Sequence, residues 1–176
     1  MQSKIEFKSI LETALAWKVV LAMLAYGVGK YVQFEGAYDP DKIIGELTGM
    51  QLMWAFYGYS RPFVLLMGVL EITGAMLLFF KKTRLLGAFF LSSILINVIL
   101  QDIFYDVNKG ALIAACFYQL SLFVIMYLNK DSIIMAIKAL IPKVKTNLFF
   151  KEKLFQYGMA FLLFLLLFGL EFWMTH

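Results

Sequence analysis

Glu71 stands in the middle of the run RPFVLLMGVLEITGAMLLFF, with Arg61 at the start of that run and no other charge before Lys81. The path from Arg61 to Glu71 covers about 15 Å of helix at about 1.5 Å per residue, half of a hydrocarbon layer about 30 Å thick. A carboxylate at that depth costs several kcal/mol unless it holds a proton or bonds a neighbour. Its chemistry is therefore proton handling or recognition of a polar partner. Candidate partners are Asn97 and Gln101 in a second apolar run and Lys30 at the end of a third. Lys30 can reach inward on its four-carbon stem or turn outward to the interface. Arg61, Asp102, Tyr105, Asp106 and Lys109 would sit above them, forming a polar funnel open to one membrane face. Lys30, Arg61, Glu71, Asn97, Gln101, Asp102, Tyr105 and Asp106 are the candidate ligand-binding residues.

A structural role competes with this reading. Buried Glu–Asn or Glu–Lys pairs also fix helix registry, and Arg61 with Asp102 or Asp106 would make an interfacial salt bridge worth little. Other reactive residues exclude whole chemistries. The chain has one cysteine, Cys116, and one histidine, His176. It holds no dithiol, no bis-histidine haem site and no histidine-rich zinc site, so neither a catalytic residue nor a metal ligand is expected. Cys116 reads as a small core hydrophobe, the ten methionines read as packing, and His176 has no expected role.

The elements that position these residues follow from composition. Of 176 residues, 62% are apolar or aromatic and 16% are charged, against about half and about a quarter in soluble domains. An all-α integral membrane protein is expected. Five runs are long and apolar enough to span: about 15–34, 61–80, 85–104, 110–128 and 154–173. Residues 35–60 form a loop in which Asp41 could cap a short helix, while Trp54, Phe56, Tyr57 and Tyr59 suit a membrane interface. Pro62 suits the first turn of a helix. SIIMAIKALIPKVK reads as a short interfacial helix stopped near Pro142. No cleavable signal peptide is expected, because residues 1–11 are polar and the apolar run after them is too long.

Small and polar residues divide the spans. Ala25 with Gly29, the face Gly68–Glu71–Ala75, the ladder Ser93–Asn97–Gln101 and the face Ala111–Ala115–Tyr118, with Gln119 and Ser121 beside it, suit a bundle interior. The fifth span is apolar on every side, as a helix facing lipid or a partner would be. The expected organisation is a four-helix core over residues 1–128, then residues 129–176 carrying the interfacial helix and an additional C-terminal transmembrane helix. With the N-terminus inside, twelve of the sixteen basic residues fall on the inner side: Lys4, Lys8, Lys18, Lys81, Lys82, Arg84, Lys130, Lys138, Lys143, Lys145, Lys151 and Lys153. The positive-inside rule then makes the N-terminus cytoplasmic and the C-terminus external. The net charge of +4 is sorted by membrane side and does not suggest nucleic acid.

Over about residues 13–128 the chain resembles the DoxX-like family of small bacterial membrane proteins. The resemblance lies in Gly29–Lys30, in the pattern Gly68, Glu71, Ile72, Gly74, Ala75, in Arg84, Leu86 and Gly87, in Asn97, and in the turn Tyr105–Asp106–Val107. It implies a four-helix membrane bundle in a bacterial inner membrane. Lys30, Glu71, Asn97, Tyr105 and Asp106 fall on what look like the family's polar positions. The related DoxD proteins are subunits of a thiosulfate:quinone oxidoreductase, and other relatives join oxidative-stress complexes. The uniformly apolar fifth span and the interfacial aromatic loop offer docking surfaces, so a non-catalytic accessory subunit with membrane-protein partners or a homo-oligomer is expected. The alternatives are a quinone-linked redox-support protein with its ligand site around Glu71, and a transporter of small molecules or lipids. No cofactor is intrinsic, and a bound quinone or lipid would be the group held.

Overall fold

The computed structural model describes residues 7–141 and 149–175. Among them the protein is all-helical, without strands. Lys4, Pro142, Lys143, Lys145 and His176 lie outside the described residues. The chain divides into two compact units, Met1–Ala136 and Ile137–His176.

Among the described residues five helices are long and apolar enough to cross a membrane: α1 (Phe7–Gly29), α3 (Arg61–Phe79), α4 (Arg84–Phe104), α5 (Lys109–Leu128) and α7 (Phe150–Thr175). They correspond to the five expected spans: α3, α4, α5 and α7 have ends within four residues of those expected, whereas α1 begins about eight residues earlier and ends about five earlier, which leaves Lys30 in the turn after it. The first unit is built from α1, α3, α4 and α5. In it α1 packs on α3 and α5, and α4 packs on the same two. Short reversals at residues 80–83 and 105–108 make sequential neighbours antiparallel, so the bundle is a ring in the order α1–α3–α4–α5.

Its interior is apolar and closely packed. Ala16, Val19, Val20 and Met23 of α1 meet Ala75 and Leu78 of α3, Ala88, Leu91 and Leu95 of α4, and Ala115, Leu122 and Ile125 of α5. One buried bond crosses this interior, from Gln119 Nε2 to Ser92 Oγ at 2.9 Å. At the 80–83 end, Arg84 is buried and closes α3. Its Nε donates to the Leu78 carbonyl at 3.3 Å and its Nη2 to the Phe79 carbonyl at 3.4 Å. Its Nη1 reaches Glu12 Oε1 at 3.2 Å and Thr13 Oγ1 at 3.3 Å on α1. A cation fits there because the last carbonyls of a helix carry partial negative charge.

The other end carries the insertion between α1 and α3. Asp39 accepts from the Asp41 amide at 3.1 Å, which makes a turn and leaves Asp41 without a helix to cap. A one-turn 3-10 helix follows at Ile44–Glu46, then α2 at Gly49–Tyr59, capped by Thr48. The Gln51 amide donates to Thr48 Oγ1 at 3.2 Å and the Thr48 amide to Gln51 Oε1 at 3.0 Å, a reciprocal capping box. Pro62 sits in the first turn of α3, as its missing N–H and fixed φ favour.

Helix α6 (Lys130–Leu140) occupies the expected interfacial segment, and neither it nor α7 buries a residue. Three expectations about faces are corrected. Gly27, not Ala25 with Gly29, is the small residue of α1 at the α3 contact, and no atom stands within 4 Å of a Cβ placed on Gly29. Ser93 and Asn97 are exposed, and the buried face of α4 runs through Leu91, Ser92, Leu95 and Asp102. Cys116 lies exposed on the surface of α5 rather than in the core, because the buried face of that helix passes through Ala115, Gln119 and Leu122.

Candidate functional site

Where α2 covers the bundle, the ring of helices opens into a cavity of about 340 Å³. All five helices of this region line it, together with the turn after α1. The volume falls in the range of small-molecule sites, about 300–1,000 Å³.

Its charged centre depends on two glycines. A Cβ on Gly68 would stand 2.5 Å from the Gly27 carbonyl and 3.1 Å from Lys30 Cβ, and one on Gly27 would stand 2.8 Å from the Gly68 carbonyl. Only glycine permits this approach of α1 and α3. It brings Lys30, in the helical turn that continues α1, over Glu71 on α3. Lys30 Nζ lies 3.5 Å from Glu71 Oε1, with side chains 15% and 5% exposed. The same ammonium donates to Gln33 Oε1 at 2.9 Å and sits 5.5 Å from the centroid of the Phe34 ring. Of the three expected partners for Glu71, the structure selects Lys30.

Asn97 and Gln101 bond each other: Gln101 Nε2 donates to Asn97 Oδ1. Tyr57 of α2 donates its hydroxyl to Gln101 Oε1 at 2.8 Å. Burial pushes the Tyr57 phenol up from its ordinary range, against the pull of the Gln101 hydrogen bond, so the hydroxyl keeps its proton and acts as the donor. Asp102 lines the cavity from α4, 8% exposed. Two buried carboxylate oxygens, Glu71 Oε2 and Asp102 Oδ2, have no hydrogen-bond partner among the described residues. Buried polar atoms are rarely left so.

The remaining wall is apolar and adaptable. Met23, Met50, Met53 and Met67 line it with Phe34 and Trp54. Phe34 stacks on Tyr57 at 4.9 Å and meets Trp54 edge-on at 5.3 Å, which holds α2 down as a roof. Thioethers and aromatic rings suit a flat or flexible apolar body.

Three expected residues stand outside this lining. Arg61 pairs with Glu35 at 3.4 Å, both exposed, and lies 4.8 Å from the Tyr31 ring centroid, rather than meeting Asp102 or Asp106. Tyr105 and Asp106 lie in the α4–α5 turn, where Asp106 adopts φ 46°, a left-handed conformation that aspartate tolerates better than most residues. Lys30, Glu71, Asn97, Gln101 and Asp102 come together in one cavity. Sequence reasoning placed Trp54 and Tyr57 at the membrane interface and passed over Tyr26, Gln33, Phe34 and Asn108, which also line the cavity. A signal for the roof was present: Met50, Met53, Trp54 and Tyr57 recur at i, i+3, i+4 and i+7, the buried stripe of a helix.

Over 85 residues the chain is 34% identical to the uncharacterized protein YwoB of Bacillus subtilis (strain 168), covering 47% of this chain and 54% of that protein. The match thus spans about half the length of the relative. No family model and no solved structure matches the chain.

Proposed function

We propose that this protein is a membrane-embedded binding protein, without catalytic machinery of its own, that receives the polar head of an amphipathic small molecule. The cavity carries this reading. It places an ion pair and two unpartnered carboxylate oxygens against a wall of methionine and aromatic side chains, under a roof latched by Tyr57 and Gln101. Apolar pockets with a few convergent polar groups are the usual form of small-molecule sites.

The accompanying reading of context rests on the motif resemblance and on the sorting of basic residues. It makes the bundle DoxX-like and places it in a bacterial inner membrane, N-terminus inside, with the α2 end external. The protein would serve there as an accessory subunit presenting its ligand to a larger complex.

Trp54 tests the site, since it lines the cavity while Trp17 lies on α1 and Trp173 on α7. In a Trp17→Phe/Trp173→Phe background, Trp54 emission is expected to shift when gently extracted protein is stripped of small apolar molecules over a hydrophobic resin. Emission unchanged by stripping contradicts an occupied cavity.

A further inference from the structure

We infer that the head group received by this cavity is a protonated amine, so that the ligand is an organic cation with an apolar body. The inference rests on the binding role proposed above and names its substrate class. Its ground is the arrangement of charges in the wall. One ammonium, Lys30, shares the wall with two carboxyl groups, Glu71 and Asp102, and pairs with the first. It is in ion-pair range of Glu71 Oε1. Glu71 Oε2 and Asp102 Oδ2 are buried with no hydrogen-bond partner among the described residues, the Glu71 side chain being 5% exposed and Asp102 8%. The wall therefore sets two carboxyl groups beside one ammonium, and two of their buried oxygens lack a partner among the described residues. Carboxylate oxygens accept only, so the complementary head group donates N–H bonds and carries a positive charge.

The rest of the lining agrees. Phe34, Trp54, Tyr26 and Tyr57 line the cavity, and an aromatic ring face attracts an organic cation. A bare metal ion fits poorly. The cavity is about 340 Å³, and no group of three or more His, Cys, Asp or Glu side chains able to hold a metal occurs among the described residues. Of the two carboxylates, Asp102 is the one without an ion pair, so it is the residue that discriminates a cation from a neutral isostere.

Full-length protein in detergent micelles, titrated by equilibrium dialysis with octylamine and with octanol, tests this. Octylamine is expected to bind about 10- to 100-fold more tightly than octanol, the worth of one charge-assisted hydrogen bond. Asp102→Asn should bring octylamine down to the octanol level. Lys30→Gln should have the opposite sign and tighten octylamine. Octyltrimethylammonium, charged but without N–H donors, should bind more weakly than octylamine. Equal binding of octylamine and octanol to the wild type overturns the amine assignment and leaves the binding role standing. An Asp102→Asn variant that keeps the amine preference overturns it as well. Binding of neither probe overturns the binding role with it.

Discussion

Removing either partner of the Lys30–Glu71 pair should not cost the same, and the difference follows from their surroundings. Glu71 is 5% exposed at its side chain, and among the described residues its only ion-pair contact is Lys30 at 3.5 Å. At that separation two unit charges attract by about 5 kcal/mol at an effective dielectric constant of about 20. Lys30→Met leaves the carboxylate buried and uncompensated, which costs about 3–5 kcal/mol. Glu71→Gln leaves an ammonium that is 15% exposed and still bonded to Gln33 at 2.9 Å, so its cost should be about 1–2 kcal/mol. For a chain of this length one kcal/mol moves the midpoint by about 2–4 °C. The expected losses in Tm are therefore about 6–20 °C for Lys30→Met and about 2–8 °C for Glu71→Gln. The assay is thermal unfolding of purified protein in micelles, with the double variant completing the cycle. Adding Glu71→Gln to Lys30→Met should recover stability, because it removes the uncompensated charge. A Lys30→Met variant no less stable than Glu71→Gln would refute the reasoning, since Glu71 would then need no counter-charge.

Three further outcomes are expected. Gly68→Ala places a methyl 2.5 Å from the Gly27 carbonyl, so α1 and α3 must part, at a cost of about 1–3 kcal/mol; unfolding midpoints and a weakened ligand signal from Trp54 should both report it. Tyr57→Phe keeps the stack on Phe34 but removes the bond to Gln101, worth about 1 kcal/mol; hydrogen exchange of the α2 amides should accelerate about fivefold while the bundle core is unchanged. Arg84→Met deprives the Leu78 and Phe79 carbonyls, Glu12 and Thr13 of a buried donor; a loss of about 3–5 kcal/mol should appear in thermal unfolding, with octylamine and octanol affinities unmoved in the surviving folded protein.

Much of the scaffold was legible in the residues. Length and apolarity mark the five spans, Pro62 marks the start of α3, and the isolated carboxylate marks Glu71, which lines the cavity. The phase of each helix was not legible. In a membrane bundle, lipid-facing and core-facing residues are both apolar, so periodicity does not tell one side from the other as it does in a soluble helix. That is why Ala25 and Gly29 looked as good an interface as Gly27, why Cys116 was read into the core, and why Ser93, Asn97 and Gln101 were read as a buried ladder. A strict spacing of four also drifts around a helix of 3.6 residues per turn. Such a ladder therefore runs off the α4 core at Ser93 and lines the cavity only from Asn97 onward. Pairing was hidden for another reason. Lys30 and Glu71 meet because Gly27 and Gly68 let two backbones touch, a tertiary fact that no local pattern carries. The roof was hidden by its aromatics, which suit a membrane interface and a buried stripe equally well.

Native mass spectrometry of gently extracted protein, wild type beside Glu71→Gln, tests the central claim most directly. The expected result is one small molecule per wild-type chain, lost or sharply reduced in Glu71→Gln, whose fold is intact by thermal unfolding. A wild-type chain that carries no small molecule, and whose protein partners are held in the same ratio by the variant, would contradict it. Glu71 would then be a packing residue of a scaffold subunit.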